Sequence, residues 1–339
     1  MGRNAGLGGG CAVAGVMLGG ALGCSGEPSL DEQMAARGLA RQSIEFRALV
    51  GAEPWSCSGT YLIGSPPSEA RPSHLRFFVS DLALTTPDGQ SVPLVLEDSV
   101  WQGNFDDVGH TVALLDFDDA TGNCRFTDPD TNTIITGWAP ENLDYTGASF
   151  RIGVPGALNH LDAGLAPPPM NRPGMWWSWR DGHMTLRASF DTLGNDSNRP
   201  QTAEDTSHPA GWQLWLAETV FGECTEMPVG QFNCPEEQQP QVVLDAFDGT
   251  TDYVSLDFGT LLADVDLART EFDTAPEDVE PQISDPTITP YPMPDYFSGF
   301  FMDRIDGEGA VILEKLGIDW MTLSPPDPTR QVFATRGTR

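Results

Sequence analysis

The chain has 339 residues and a net charge of −31, from 18 basic and 49 acidic side chains. Such an acidic surface repels nucleic acid and anionic membrane surfaces and attracts cations, so binding through nucleic-acid phosphates is excluded. The 36 glycines and 28 prolines favour many turns and few long helices, and a 40% hydrophobic content is enough for a substantial core. The composition therefore favours a β-rich globular protein that does not bind nucleic acid.

The first residues have the pattern of an export signal. Cys11–Leu22 is a short run of apolar and small residues, too short to cross a bilayer comfortably. It ends in Ala21-Leu22-Gly23-Cys24, which has the form of a bacterial lipobox. We predict a signal peptide over 1–23, lipidation at Cys24 and a polar tether over 24–43, with ordinary signal cleavage nearby as the alternative. Either route leads to the periplasm or the cell surface, and lipidation would anchor the protein to a bacterial membrane.

Of the six cysteines, Cys11 and Cys24 belong to the predicted export segment, which leaves four in the mature chain. An even number of cysteines in an exported protein indicates disulfides. Three connectivities are open for Cys57, Cys124, Cys224 and Cys234. We favour Cys57–Cys124 and Cys224–Cys234, because the second pair closes a short loop. A thiolate metal site is not expected, since no C-x-x-C spacing is present.

Alternation of apolar and polar residues predicts strands along most of the chain. The predicted strands are Ile44–Val50, Leu75–Leu84, Val92–Leu96, Thr111–Phe117, Ala148–Val154, His183–Phe190, Gly211–Ala217, Gln241–Phe247 and Thr251–Phe258. Two short helices are expected at Leu261–Leu267 and Gly309–Leu316, and long acidic loops at Thr192–Ser207 and Thr270–Pro294. Many short strands with Gly/Pro turns predict an all-β fold, an antiparallel β-sandwich or barrel, in one domain over 44–335.

Several segments, in order along the chain, resemble the motifs of one protein family. They are Arg76–Asp81 (RFFVSD), Trp101-Gln102, Val112–Phe117 (VALLDF), Gly153-Val154-Pro155, Leu158-Asn159-His160 and Met175–Gly182 (MWWSWRDG). These segments are similar to those of the four-cysteine proteins of the metallo-mystery pair system, the MbnP-like family that includes the methanobactin-associated copper protein. The four mature cysteines also fall in the order found in that family.

The resemblance implies an exported, disulfide-stabilised β protein that binds copper. It also implies a partner, a di-haem protein resembling cytochrome c peroxidases, which oxidises a tryptophan of the copper protein to kynurenine. Carried over to this chain, the matching histidine ligand is His160, and the candidates for oxidation are Trp177 and Trp179. The family role is that of a metal carrier and a substrate of the partner, so the protein itself is not expected to be an enzyme.

The sequence departs from the family at one expected ligand. Relatives carry H-L-G-S-T before the third cysteine, whereas this chain has Trp215 at the position of the histidine. A tyrosine of the tryptophan motif is replaced by His183. The copper site is therefore either rebuilt from His160 and His183 or lost. If it is lost, the alternative function is that of a surface lipoprotein acting as a structural or adhesion module.

The remaining candidate groups carry weaker signals. His74, His110 and His208 are expected to be exposed. The oxygen-rich segment Asp116–Asn123 lacks the spacing of a calcium-binding EF-hand loop, so a solvated acidic turn is expected and calcium is not. The sequence contains no G-x-S-x-G, H-E-x-x-H or P-loop motif, and this also argues against an enzyme.

Overall fold

The structure is a computed structural model that describes residues 28–124, 130–179, 181–192, 211–217, 225–226, 232–233, 239–267, 297–301, 307–317 and 332–337. Its strands in chain order are β1 Leu39–Val50, β2 Glu53–Pro54, β3 Tyr61–Ile63, β4 Ser68–Thr85, β5 Ser91–Pro93, β6 Val95–Leu96, β7 Gln102–Phe105, β8 His110–Asp116, β9 Ile134–Pro140, β10 Gly147–Ile152, β11 Trp176–Ser178, β12 Gly182–Thr192, β13 Gly211–Ala217, β14 Thr225–Glu226, β15 Phe232–Asn233, β16 Gln241–Leu244, β17 Asp252–Asp257, β18 Phe297–Phe301 and β19 Phe333–Gly337. The α-helices are α1 Leu30–Ala35, α2 Gly156–Asn159, α3 Phe258–Leu261 and α4 Gly307–Lys315.

Most of these strands belong to two sheets. The smaller sheet has the order β19-β17-β1-β9-β6, with β2 beside β1. The larger has the order β16-β10-β4-β12-β13-β18, and β3, β5 and β8 also pair with β4, β7 with β8, and β11 with β12. The predicted all-β sandwich is confirmed. Two strand pairs depart from the antiparallel pattern, since β1 runs parallel to β17 and β13 parallel to β18.

The main core lies between the two sheets. Phe46 of β1 packs edge-on against Phe77 of β4 and Phe150 of β10, with ring centroids 6.4 and 5.5 Å apart. All three side chains are at most 2% exposed. These contacts join the small sheet to the large one, as the inner faces of a sandwich require.

A second apolar cluster lies on the opposite face of the larger sheet. Successive side chains of a strand point to opposite faces, so Phe77 enters the main core while Phe78 enters this second cluster. We call it the outer cluster; its buried members are Phe78, Phe105, Val112, Leu114, Val154, Leu158, Met170, Met175 and Met184. The chain between β10 and β12 covers it, and that stretch carries the predicted metal and tryptophan residues.

The region predicted as a polar tether, 24–43, includes helix α1 and the first residues of β1. Ser29 and Glu32 form a reciprocal capping box at the start of α1, which satisfies free backbone N–H groups of the first turn. Strand β1 then begins at Leu39, five residues before the predicted start at Ile44.

The two predicted helices have different outcomes. Helix α4, Gly307–Lys315, confirms the prediction for Gly309–Leu316 to within two residues. Helix α3 ends at Leu261, where the other predicted helix was expected to begin, so that prediction is wrong. The Asp257 side chain caps α3 by accepting from Gly259 N and Thr260 N, and this fixes the earlier start.

The disulfide Cys57–Cys124 is present, as predicted, with its Cα atoms 5.5 Å apart. The predicted Cys224–Cys234 bridge, lipidation at Cys24, the signal peptide over 1–23 and His208 lie outside the described residues. Among the residues that the structure describes, every helix is too short or too polar to cross a membrane.

Candidate metal centre

The turn between β11 and β12 is locked onto the end of α2. Gly182 has φ +77°, and a Cβ at this position would lie 2.4 Å from Asn159 Nδ2 and 2.8 Å from Asn159 O. Only glycine fits both the left-handed backbone and this close approach. The Asn159 side chain then accepts a hydrogen bond from His183 N at 2.9 Å. Two segments that carry the family resemblance, Leu158–His160 and Met175–Gly182, are thus joined by direct contacts.

His183 is 1% exposed and its ring is held by main-chain groups. Nδ1 is 2.6 Å from Asn159 O, Nε2 is 2.9 Å from Met170 O, and Phe78 packs edge-on against the ring at 5.8 Å. Burial lowers the pKa of His183. The hydrogen bonds to the two carbonyls act in the opposite direction, and the charge of His160 lowers the pKa further. A neutral imidazole has a single N–H, so one of the two carbonyls then faces a lone pair. Either a proton or a metal cation at that nitrogen would remove the mismatch.

His160 follows α2 directly and is half-buried. It is the residue after Asn159, whose side chain and main chain both bond His183, so the two histidines lie close together although they belong to different elements. The fold therefore brings the two histidines predicted as metal ligands to the same part of the outer cluster.

The tryptophans have distinct environments. Trp177 packs edge-on against Trp215, with centroids 5.4 Å apart and an interplanar angle of 76°. Trp179 is 52% exposed. The Arg187 guanidinium lies 4.7 Å above the Trp215 ring and donates to Gly174 O at 2.9 Å. An indole stacked in this way offers no metal ligand, so the histidine expected there is replaced by aromatic packing.

A row of charged side chains continues from Trp215 across the outer face. In the sheet register Trp215 is beside Arg187, Arg187 beside Arg76, and Arg76 beside Asp116. Arg76 Nε lies 2.8 Å from Asp116 Oδ2 and 3.4 Å from Asp118 Oδ2. Burial raises the pKa of Asp116 to about 6, and burial together with Arg76 lowers the pKa of Arg187 to about 10.

Two sequence predictions about this row are wrong. The turn at Asp116–Asn123 is not simply solvated, because Asp116 and Asp118 are 2% and 0% exposed. His74 is not exposed either: its Nδ1 pairs with Asp118, and burial lowers its pKa. The missed signal was the alternation in Val112–Asp116, which places Asp116 on the same face as Val112 and Leu114.

His110 is also paired rather than free in solvent. Its Nδ1 lies 3.0 Å from Asp81 Oδ2, and Asp81 Oδ1 accepts from Thr111 N at 3.2 Å. Asp81 has φ +51°, a conformation that aspartate tolerates better than most residues. The expectation that His110 is exposed is therefore wrong.

Together these features define a disulfide-braced β-sandwich with histidines and tryptophans gathered on the outer face of one sheet. The chain belongs to the MbnP family, whose family model matches residues 40–280. The family resemblance predicted from the motifs is thereby confirmed. The fold is similar to that of MbnP from Methylosinus trichosporium, with a TM-score of 0.65 and 20% identity over 88% of this chain and 99% of the other. Comparison with curated proteins gave no sequence match.

Proposed function

We propose that the protein is an exported, non-catalytic copper-binding protein whose metal is held at the outer cluster. Membership of the MbnP family, which we associate with methanobactin and copper systems, supports this proposal. The observation that carries it is the environment of His183, a buried imidazole with a carbonyl oxygen beside each ring nitrogen. A metal at one of those nitrogens would resolve the mismatch without a buried positive charge on the ring.

His183 binds the metal through Nε2, and His160 supplies the second ligand. Histidine ligands commonly donate their other ring N–H to a main-chain carbonyl, which fixes the tautomer and the ring orientation. The contact between His183 Nδ1 and Asn159 O meets that requirement at 2.6 Å. Binding at Nε2 exchanges the contact with Met170 O for the metal.

The surroundings favour copper, in the Cu(I) state, over harder cations. Thioether and imidazole ligands suit Cu(I), whereas calcium and magnesium prefer oxygen. Three methionines, Met170, Met175 and Met184, are at most 6% exposed in the outer cluster. They provide soft, polarisable surroundings that exclude water from the bound ion.

Trp177 is the better candidate for oxidation to kynurenine by a di-haem partner resembling cytochrome c peroxidases. It packs on the outer cluster and on Trp215, beside the proposed metal site. Trp179 is more exposed and is the alternative. Co-expression with the partner, followed by peptide mapping of the wild type and of Trp177→Phe and Trp179→Phe, tests this assignment. Unmodified tryptophans in the co-expressed wild type would contradict it.

Cu(I) binding is tested by competition with a chromogenic Cu(I) chelator under anaerobic conditions. We expect one equivalent to bind the wild type, and His160→Ala to weaken binding by at least a hundredfold. His110→Ala is the matched control, because His110 is also largely buried but pairs with Asp81 on another part of the sheet. Its affinity should equal that of the wild type.

Absence of Cu(I) binding by the folded wild type would refute the copper proposal and favour the alternative of a surface lipoprotein with a structural or adhesion role. A His160→Ala variant that binds equally well would refute the assignment of His160 as a ligand. One observation supports the lipoprotein alternative: Trp215 packs against Trp177 and Arg187 at the position where a histidine ligand was expected.

A further inference from the structure

The Cys57–Cys124 disulfide lies against a buried carboxylate. Both sulfur atoms and a carboxylate oxygen of Asp118 are within 4.8 Å of one another. Cys57, Cys124 and Asp118 are 2%, 1% and 0% exposed. Two sulfurs and one carboxylate oxygen, converging in a dry environment, are three donors of the types that tetrahedral zinc sites use.

We propose that reduction of the Cys57–Cys124 disulfide creates a binding site for a thiophilic divalent cation, of the zinc class, formed by the two thiolates and Asp118. The disulfide and the bound metal exclude one another, because both use the sulfur atoms of Cys57 and Cys124. The site shares no ligand with the proposed copper centre.

The fold fits both occupants with little backbone movement. Zinc–sulfur bonds of roughly 2.3 Å in tetrahedral geometry put two thiolates about 3.8 Å apart. Side-chain rotation can supply that separation, since the Cα atoms are 5.5 Å apart. Carbonyls also stand near both sulfurs, Phe117 O at 3.7 Å from Cys57 Sγ and Pro72 O at 3.9 Å from Cys124 Sγ. They would accept the thiol protons of the reduced, metal-free form.

The Asp118 carboxylate is already positioned as a ligand would be. Its Oδ1 accepts from Leu75 N at 2.7 Å, and its Oδ2 contacts His74 Nδ1 and lies 3.4 Å from Arg76 Nε. A carboxylate has about four acceptor positions, so these contacts leave room for a metal. Hydrogen bonds of this kind hold ligating carboxylates in place in known metal sites.

The local charge selects a divalent ion. Around the disulfide, Asp116 and Asp118 are balanced by Arg76 and Arg187, which interact with them. Two thiolates add two negative charges, and a divalent cation cancels both. A monovalent ion would leave one buried negative charge uncompensated, which is costly in a medium of low polarity.

The chemistry balances with a phosphine as the reductant. The phosphine attacks one sulfur and breaks the S–S bond. Water then supplies the oxygen of the phosphine oxide and the two protons of the thiols. The divalent cation subsequently displaces those two protons and forms two metal–sulfur bonds.

The experiment uses the full-length chain, reduced with a phosphine under anaerobic conditions and titrated with Cd²⁺ as a spectroscopic substitute for Zn²⁺. We expect the ultraviolet thiolate-to-cadmium band to be stronger in the wild type than in Cys57→Ser/Cys124→Ser, which retains the other cysteines. The oxidised wild type should lack this additional band. A large excess of Zn²⁺ should displace Cd²⁺ and abolish the band.

The carboxylate is tested by Asp118→Asn, with the exposed neighbour Asp119→Asn as the matched control. Asp118→Asn should weaken Zn²⁺ binding at least tenfold and Asp119→Asn should leave it unchanged. Far-ultraviolet circular dichroism shows whether each reduced chain is folded.

Equal cadmium bands in the reduced wild type and the double serine variant would overturn the proposal. If reduction unfolds the chain, the proposal requires Zn²⁺ to restore the wild-type fold but not that of the double variant. Failure to do so would overturn it as well.

Discussion

Replacing Gly182 by alanine tests the contact that assembles the candidate metal centre. The φ of +77° costs an alanine about 1–2 kcal/mol in the left-handed region. The new Cβ would also meet Asn159 Nδ2 at 2.4 Å and Asn159 O at 2.8 Å. Moving Asn159 away breaks its hydrogen bond with His183 N, which adds about 0.5–1.5 kcal/mol. The total loss of unfolding free energy should be about 1.5–3.5 kcal/mol.

Gly109→Ala separates the strain from the contact. Gly109 has φ +79°, but a Cβ there would meet nothing within 4 Å. This variant should therefore lose only the about 1–2 kcal/mol of backbone strain. Urea denaturation of both variants, followed by tryptophan fluorescence and circular dichroism, gives the two free energies.

The difference in unfolding free energy between Gly182→Ala and Gly109→Ala isolates the effect of the contact with Asn159. Gly182→Ala should be the less stable by about 0.5–1.5 kcal/mol. It should also weaken Cu(I) binding, because Asn159, which holds His183, has moved. Equal destabilisation by the two substitutions would refute the argument that Gly182 is required for its approach to Asn159.

Two further predictions concern the disulfide and the buried aspartates. Without reductant or metal, Cys57→Ser/Cys124→Ser should lose about 4 kcal/mol of unfolding free energy, since the bridge spans 67 residues; a loss below about 1 kcal/mol in urea denaturation would contradict this. Burial raises the pKa of Asp116 to about 6 from 3.8. The native state therefore keeps a proton that the unfolded state has lost, and the contribution of Asp116 to stability falls as pH rises from about 4 to 6. Relative to the wild type, Asp116→Asn should gain up to about 3 kcal/mol over that range. A difference independent of pH in parallel denaturation series would contradict this prediction.

The alternation of apolar and polar residues predicted those strands in which the apolar side chains are the buried ones. Alternation in Ile44–Val50 and His183–Phe190 placed strands where β1 and β12 are found. The helix predicted from Leu261 was misplaced because its start is set by the Asp257 cap. A hydrogen bond from a capping side chain leaves no trace in the hydrophobic pattern. The parallel pairing of β1 with β17 joins distant segments and leaves no local signal.

The candidate site was predictable in its residues but not in its contacts. Motif resemblance selected His160, His183 and Trp177, and the fold brings all three to the outer cluster or its edge. The sequence did not indicate that His183 is held by two main-chain carbonyls, because the Met170 carbonyl comes from a Pro-rich loop with no periodic pattern. Nor did it indicate that Asp118 is buried, since acidic residues in a turn are usually solvated.

Arg187 connects the two proposed sites through one side chain. Its guanidinium lies over Trp215 and donates to Gly174 O, immediately before Met175 of the outer cluster. Its charge also interacts with Asp118 and, repulsively, with Arg76. Because β12 and β4 are register neighbours, this arrangement follows from the sheet itself. The inner face of the sheet supplies the apolar core, whereas its outer face carries the buried charges and the histidines. The residues of both proposed sites therefore contact the outer face of the sheet.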